Sequence, residues 1–173
     1  SLCESLGTAA HPIPRNERDP ETNNIIYLIS TTDNYNVFTD PTLDIETNLS
    51  VLIETLEACR AKYGSDFTFN FISSWFVYGE QLLPVSESAN LNPKGFYSIT
   101  KKAAEELLES YCTTFEIKYR ILRLCNVIGD FDKSASKKKN AIQYMIENLY
   151  KNKEVTLYEK GSPIRDIMHV GDV

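Results

Sequence analysis

The sequence predicts an α/β fold, a three-layer sandwich on a parallel sheet. Two observations carry this expectation. Short apolar, β-prone runs alternate with amphipathic stretches of helical length, the pattern of successive βαβ units. One of those runs, Phe67-Thr-Phe-Asn-Phe-Ile-Ser-Ser-Trp-Phe-Val-Tyr-Gly79, ends in two serines and a glycine turn. It reads as a buried strand presenting hydroxyls at its C-terminal end, where open parallel sheets bind their ligands.

The elements follow in order. Residues 1–23 contain Pro12, Pro14 and Pro20 and read as irregular. Residues 24–30 form a continuous apolar strand. Asp40-Pro41 starts a helix, with an N-cap oxygen followed by proline in the first turn. Apolar residues at Ile45, Leu49, Leu52, Leu56 and Cys59, in steps of four and three, carry that helix to about Lys62, before Gly64. After the Ser-Ser strand, a loop over 80–94 with Pro84 and Pro93 is placed to shape a pocket. A second amphipathic helix covers 96–115, with Ala104, Leu108, Tyr111 and Phe115 on one face. A strand follows at 117–124. Asn140 caps a further helix that carries Ile142, Met145, Ile146 and Leu149. Residues 155–158 and 164–170 read as short strands around a Gly161-Ser-Pro turn.

At 173 residues and 42% hydrophobic content the chain suits one domain with its own core. A net charge of −6 gives no electrostatic footprint for DNA or RNA, and Lys137-Lys-Lys139 reads as a solvated helix start. No apolar run reaches the ~20 residues that span a bilayer, and the first residues lack a signal-peptide pattern, which implies the cytoplasm. Cys3, Cys59, Cys112 and Cys125 lack Cys-x-x-Cys spacing and read as thiols. His11 and His169 lack metal-ligand partners in sequence, so no metal site is expected.

Tyr97 and Lys101 are the strongest chemical signal. Four residues apart on a helix they share a face, so an ammonium can sit beside a phenol. A phenol titrates near about 10, and a neighbouring cation favours its phenolate, which turns a poor acid/base into a useful one. With 10 tyrosines and 12 lysines, chance alone supplies about one such pair, so context decides.

That context is strand-Ser73-Ser74-x-x-Val77-Tyr78-Gly79, then Pro93-x-x-x-Tyr97-x-x-x-Lys101, then Arg120-Ile-Leu-Arg-Leu-Cys-Asn126-Val-Ile-Gly129, then Arg165-Asp-x-x-His-Val-x-Asp172. In this order the motifs resemble the extended short-chain dehydrogenase/reductase family, specifically its sugar-nucleotide epimerases and dehydratases, over residues 24–173. The resemblance implies a Rossmann-like sandwich and an NAD or NADP cofactor. That family opens with a Gly-x-x-Gly-x-x-Gly turn that holds the pyrophosphate, whereas residues 1–23 contain only Gly7. The expected domain is therefore a partial NAD(P)-binding unit over 1–173. It lacks the N-terminal glycine-rich βαβ unit, begins its substrate-binding part at about residue 126, and reads as an internal fragment of a longer enzyme.

By resemblance, Tyr97 is the general acid/base, Lys101 holds the ribose hydroxyls and depresses the Tyr97 pKa, and Ser74 hydrogen-bonds the reacting oxygen. A strand-end serine capping the backbone is the alternative for Ser74, and Ser73 reads as structural. Asn48 matches a family asparagine near the cofactor. Leu28, Ile29 and Ser30 occupy the segment beside it, with Ile29 bulkier than the usual alanine. Asn126 matches an asparagine that contacts the sugar diphosphate, Asn140 the helix-start position near it on the substrate side, and Arg165 the arginine that pairs the phosphates, an Arg fork suiting phosphate oxygens. The family's dehydratases carry an Asp-Glu pair immediately after the catalytic hydroxyl residue. Here Trp75 and Phe76 stand there, which favours epimerisation or ketoreduction of a nucleotide sugar over dehydration. A non-catalytic dinucleotide-binding scaffold is the competing reading from another class. Family members of this kind pair two such helices per subunit, so a homodimer is expected, with no nucleic-acid or membrane partner.

Overall fold

The computed structural model describes residues 6–32, 35–129 and 141–173. Three strands, β1 (Asn24–Tyr27), β2 (Thr68–Ser74) and β3 (Lys118–Leu124), pair in parallel in the order β1-β2-β3. Tyr27 lies opposite Phe71, and Phe71 opposite Ile121. Because side chains alternate along a strand, this register gathers Ile25, Tyr27, Phe69, Phe71, Tyr119 and Ile121 on one face.

Helix α1 (Val51–Tyr63) connects β1 to β2, and α2 (Phe96–Thr114) connects β2 to β3. Leu52, Leu56 and Cys59 of α1 and Ala104, Leu108 and Cys112 of α2 are fully buried and join Tyr27, Phe69 and Phe71 in a single core. Each such large side chain contributes about 1.5–3 kcal/mol by leaving water. Both helices therefore cover the same sheet face. On the other face Ile26 and Leu122 are each 43% exposed. The parallel α/β class expected from the alternation, in the Rossmann-like form the resemblance implies, is what the chain adopts; of the three expected layers, the described residues supply a sheet and one helical layer.

The first long helix begins as the sequence suggested and then departs from it. Asp40 accepts hydrogen bonds from the Thr42 backbone N–H (3.1 Å) and hydroxyl (2.9 Å). A single turn, Leu43–Ile45, is followed by a π-helical stretch, Glu46–Ser50, before α1 proper. The wider turn rotates Thr47 and Asn48 inward, where both are buried, and leaves Ile45 46% exposed. Ile45, Leu49, Leu52 and Leu56 thus do not form one outer stripe. Leu52 and Leu56 belong to the core, and the apolar residues left outward include Ile45, Phe96, Ile99 and Leu107.

Beyond β3, β4 (Asn126–Ile128) and β5 (Ile167–His169) form a second, two-stranded parallel sheet, and helix α3 spans Ala141–Tyr150. The strand expected at 155–158 is not formed. Glu159 (φ 46°) and Lys160 (φ 56°) turn the chain off an extended path just beyond it, ahead of Gly161. The strand expected over 164–170 shortens to β5. Cys3, Lys137-Lys-Lys139 and the Asn140 cap lie outside the described residues.

One glycine fixes the loop above β2. Ser74 leads into a 3-10 turn, Trp75–Tyr78, that stops at Gly79 with φ 68° and ψ −148°, a conformation nearly reserved for glycine. A Cβ there would stand 1.9 Å from the Asn92 carbonyl oxygen, and Gly79 bridges Asn92 directly. We expect Gly79→Ala to destabilise the fold by at least the ~1–3 kcal/mol of such backbone strain. Chemical denaturation measures it; an unchanged unfolding midpoint would show that the loop is not pinned there.

Candidate active site

Ser74 is the last residue of β2, and Gly95, at φ 89°, turns the chain into α2. Tyr97 and Lys101 then fall in the first two turns of α2, at the C-terminal edge of the sheet. Ser30 lies three residues beyond β1 at the same edge. Parallel strands and two crossovers thus bring Ser30, Ser74, Tyr97 and Lys101 together from separate stretches of sequence.

Lys101 is 2% exposed. Its ammonium donates to the Ile72 carbonyl of β2 at 2.7 Å and lies 4.1 Å from the centroid of the Phe71 ring. Burial lowers its pKa from 10.5 to about 8, an effect that the Glu105 carboxylate partly counters. Tyr97 is half-buried, and burial raises its phenol above the ordinary value. The hydroxyls of Ser74 and Ser30 counter part of that rise, and the Asp44 charge adds to it. The expected depression of Tyr97 by Lys101 is not what this arrangement gives. Helical spacing puts both residues on one face, but the Lys101 chain runs inward to β2 while the phenol meets serines.

Ser74 caps the backbone, one of the two roles the sequence left open. Its Oγ accepts from the Phe76 backbone N–H at 3.3 Å, capping the turn, and its hydroxyl also faces Tyr97. Phe76 meets Tyr97 edge-on at 6.1 Å, Trp75 stacks on Phe76 at 4.4 Å, and the Arg165 guanidinium lies 5.8 Å from the Trp75 ring. An aromatic wall therefore runs from the phenol to a cation.

Asn48, turned inward by the π stretch, spends its whole amide inside the protein. Its Oδ1 accepts from the Thr31 N–H (2.9 Å) and the Ser30 hydroxyl (3.0 Å), and its Nδ2 donates to Thr31 Oγ1 (3.0 Å) and Thr100 Oγ1 (2.9 Å). It ties the end of β1 to α2 and so sets where Ser30 meets Tyr97. Thr31 and Thr100 were not singled out from sequence; Thr100, one residue before Lys101, was the available signal. Of the other matched positions, Ile29 packs against the core, Leu28 is exposed, and Asn126 bonds the Asp166 carbonyl at 3.0 Å. Arg165 is exposed, and Asn140 lies outside the described residues. Among the described residues no group of three or more His, Cys, Asp or Glu could hold a metal, and no helix is long and apolar enough to cross a membrane.

Residues 19–173 match the model of the NAD dependent epimerase/dehydratase family. The chain belongs to that family. It is 33% identical over 135 residues to a putative UDP-glucose 4-epimerase of Methanocaldococcus jannaschii, covering 78% of this chain and 44% of that protein. It is 32% identical over 114 residues to the GDP-6-deoxy-D-mannose reductase of Pseudomonas aeruginosa, covering 64% and 37%. Among solved structures, the UDP-glucose 4-epimerase of Thermus thermophilus in complex with NAD superposes with a TM-score of 0.75 at 29% identity, over 87% of this chain and 50% of that one. The chain spans less than half the length of these two curated relatives.

The buried ammonium has a signature in stability. Its folded-state value near 8 lies below that of the unfolded chain, so between about pH 8 and 10.5 the unfolded state binds the extra proton and folding is favoured as pH rises. Lys101→Met removes that contribution. Tyrosines with raised values, Tyr27 and Tyr97 among them, pull the other way in both proteins, so the difference is the observable. From pH 8 to pH 10 the wild type should gain about 2 kcal/mol relative to Lys101→Met in urea unfolding; parallel pH dependences would mean the ammonium is not buried.

Proposed function

We propose that the protein is an NAD(P)-dependent epimerase or ketoreductase of a nucleotide sugar, with Ser74, Tyr97 and Lys101 as its reacting group. The observation that carries this is the convergence of two serine hydroxyls and a phenol, with a buried ammonium one helical turn on, at the C-terminal edge of a parallel sheet. Tyr97 takes or gives the proton of a sugar hydroxyl, and Ser74 holds the same oxygen by the hydroxyl proton its capping bond leaves free. Lys101, with two N–H donors beyond the one given to Ile72, and Ser30, whose proton goes to Asn48 or Thr31 and whose oxygen can accept, would hold the ribose end of a dinucleotide. The dinucleotide, when bound, supplies the hydride chemistry. These 173 residues contain no Gly-x-x-Gly-x-x-Gly turn to hold its pyrophosphate, so this chain alone is expected to bind nicotinamide dinucleotides poorly.

Charge development at Tyr97 brings Lys101 into play. When Tyr97 gives its proton to the sugar oxygen, the phenolate that forms lies one helical turn from a cation, and in the reverse direction that phenolate takes the sugar's proton back; in the ligand-free protein burial keeps Tyr97 in its protonated form. Asn126 of β4 and Arg165, two residues before β5, are the groups that would meet the diphosphate, Arg165 by way of the Trp75 face. Trp75 and Phe76 supply no carboxylate, so the water elimination of a dehydratase lacks its acid and base here. The outward Ile45, Ile99 and Leu107 support pairing of two subunits through the α1 and α2 faces.

In the full-length protein, Tyr97→Phe should lower hydride transfer with a nucleotide sugar by the 10²–10⁴ typical of a general acid/base while preserving the fold. Ser74→Ala should cost less, because serine only positions and polarises the oxygen. Wild-type turnover by Tyr97→Phe would remove Tyr97 from the reaction, whereas the absence of any turnover by the wild-type protein would favour the non-catalytic scaffold.

A further inference from the structure

Behind the reacting groups lies a second buried polar cluster that the roles above do not use. Glu105, one turn beyond Lys101 on α2, is 3% exposed. Its Oε1 accepts from the Ser73 hydroxyl, and its carboxylate pairs with Arg123 of β3: Arg123 Nη2 donates to Oε2 at 2.8 Å, and Nε reaches Oε1 and Oε2 at 3.2 and 3.1 Å. The remaining Arg123 nitrogen, Nη1, donates to the Tyr78 hydroxyl at 3.1 Å and to the Glu87 carbonyl at 3.2 Å. The Arg123 guanidinium also lies 5.0 Å from the Tyr78 ring centroid.

We propose that Glu105 is a positioning residue of the site: by gripping Ser73, the neighbour of Ser74, and through Arg123 the loop from Tyr78 to Glu87, its carboxylate sets Ser74 and the substrate-side loop in register with Tyr97 on its own helix. This rests on the reading of Ser74 and Tyr97 given above.

Three features carry it. A buried ion pair is a poor source of net stability compared with an apolar pair of the same volume, so packing alone does not call for one here. The cluster is fully engaged, with the Arg123 fork bidentate on one carboxylate, a geometry that fixes orientation as well as distance. Each of its anchor points is one residue or one helical turn from a group of the site: Ser73 adjoins Ser74, Glu105 follows Lys101, and Tyr78 closes the turn that Ser74 caps. A strand end held in this way keeps Ser74 within the tolerance that reaction geometry demands, where a misplacement of 1 Å costs about 10²-fold.

The test uses the full-length protein with a nucleotide sugar and dinucleotide, comparing Ser73→Ala and Glu105→Gln with Tyr97→Phe. Ser73→Ala leaves the Glu105–Arg123 pair intact and removes only the grip on β2, so it stays informative if Glu105→Gln fails to fold. The expected result is a kcat about 10–100-fold lower for Ser73→Ala, with KM for the sugar within about twofold and an unchanged Tm. Where Glu105→Gln folds, a loss at least as large is expected. A Ser73→Ala kcat within twofold of wild type overturns the proposal, as does a raised KM at unchanged kcat or a loss of rate matched by a loss of folded protein. The Tyr97→Phe arm separates the two claims: full activity there rejects the reading of the site, whereas an inactive Tyr97→Phe beside a fully active Ser73→Ala rejects only the role of Glu105.

Discussion

A hydrogen bond of 2.7 Å from the Lys101 ammonium to the Ile72 carbonyl is the contact on which the rest of the arrangement depends. Burying an ammonium is costly, and the cost is tolerable only where the group is hydrogen-bonded and a polarisable surface lies alongside. The Ile72 carbonyl near the end of β2 takes one of the ammonium's three donors, and the Phe71 ring face supplies the polarisable surface. Both exist because β2 runs parallel between β1 and β3, with α2 laid across one face. The aromatic core is therefore more than a source of stability: it sets the distance at which a lysine from the second turn of a helix can reach a strand carbonyl.

The same requirement explains the break in the first long helix. A regular α-helix would leave Asn48 at a different angle. The π stretch turns it inward, where four hydrogen bonds join the end of β1 to α2. Local helical regularity gives way to a buried amide network, a trade found at functional sites. The consequence is that Ser30, from the end of β1, faces the same phenol as Ser74, from the end of β2.

Much of this could be read from the residues. Alternating strand and helix patterns give the parallel sheet, and the boundaries of β2, α2 and β3 fall within a residue or two of those inferred from apolar periodicity and the Ser-Ser-x-x-Val-Tyr-Gly run. Ser74, Tyr97 and Lys101 were visible as motifs. Three things were not. The π stretch is invisible to a 3.6-residue period, so the steps of four and three from Ile45 to Leu56 suggested one stripe where there are two environments. The strand at 155–158 has the composition of a strand, but Glu159 and Lys160 adopt positive φ, which no propensity of those residues announces. Finally, spacing places Lys101 beside Tyr97 on the helix surface but says nothing of where a flexible side chain ends. Its termination on β2 follows from tertiary packing, as does the grouping of Ser73, Glu105 and Arg123.

The central claim is that Lys101 is a buried ammonium held by β2 at the edge where Ser74 and Tyr97 meet. Its titration tests this most directly, followed by NMR of the side-chain ε-carbon and assigned by its loss in Lys101→Met. Burial is expected to lower the midpoint to about 8. A midpoint at the ordinary lysine value of about 10.4 would place the ammonium in solvent and contradict the account.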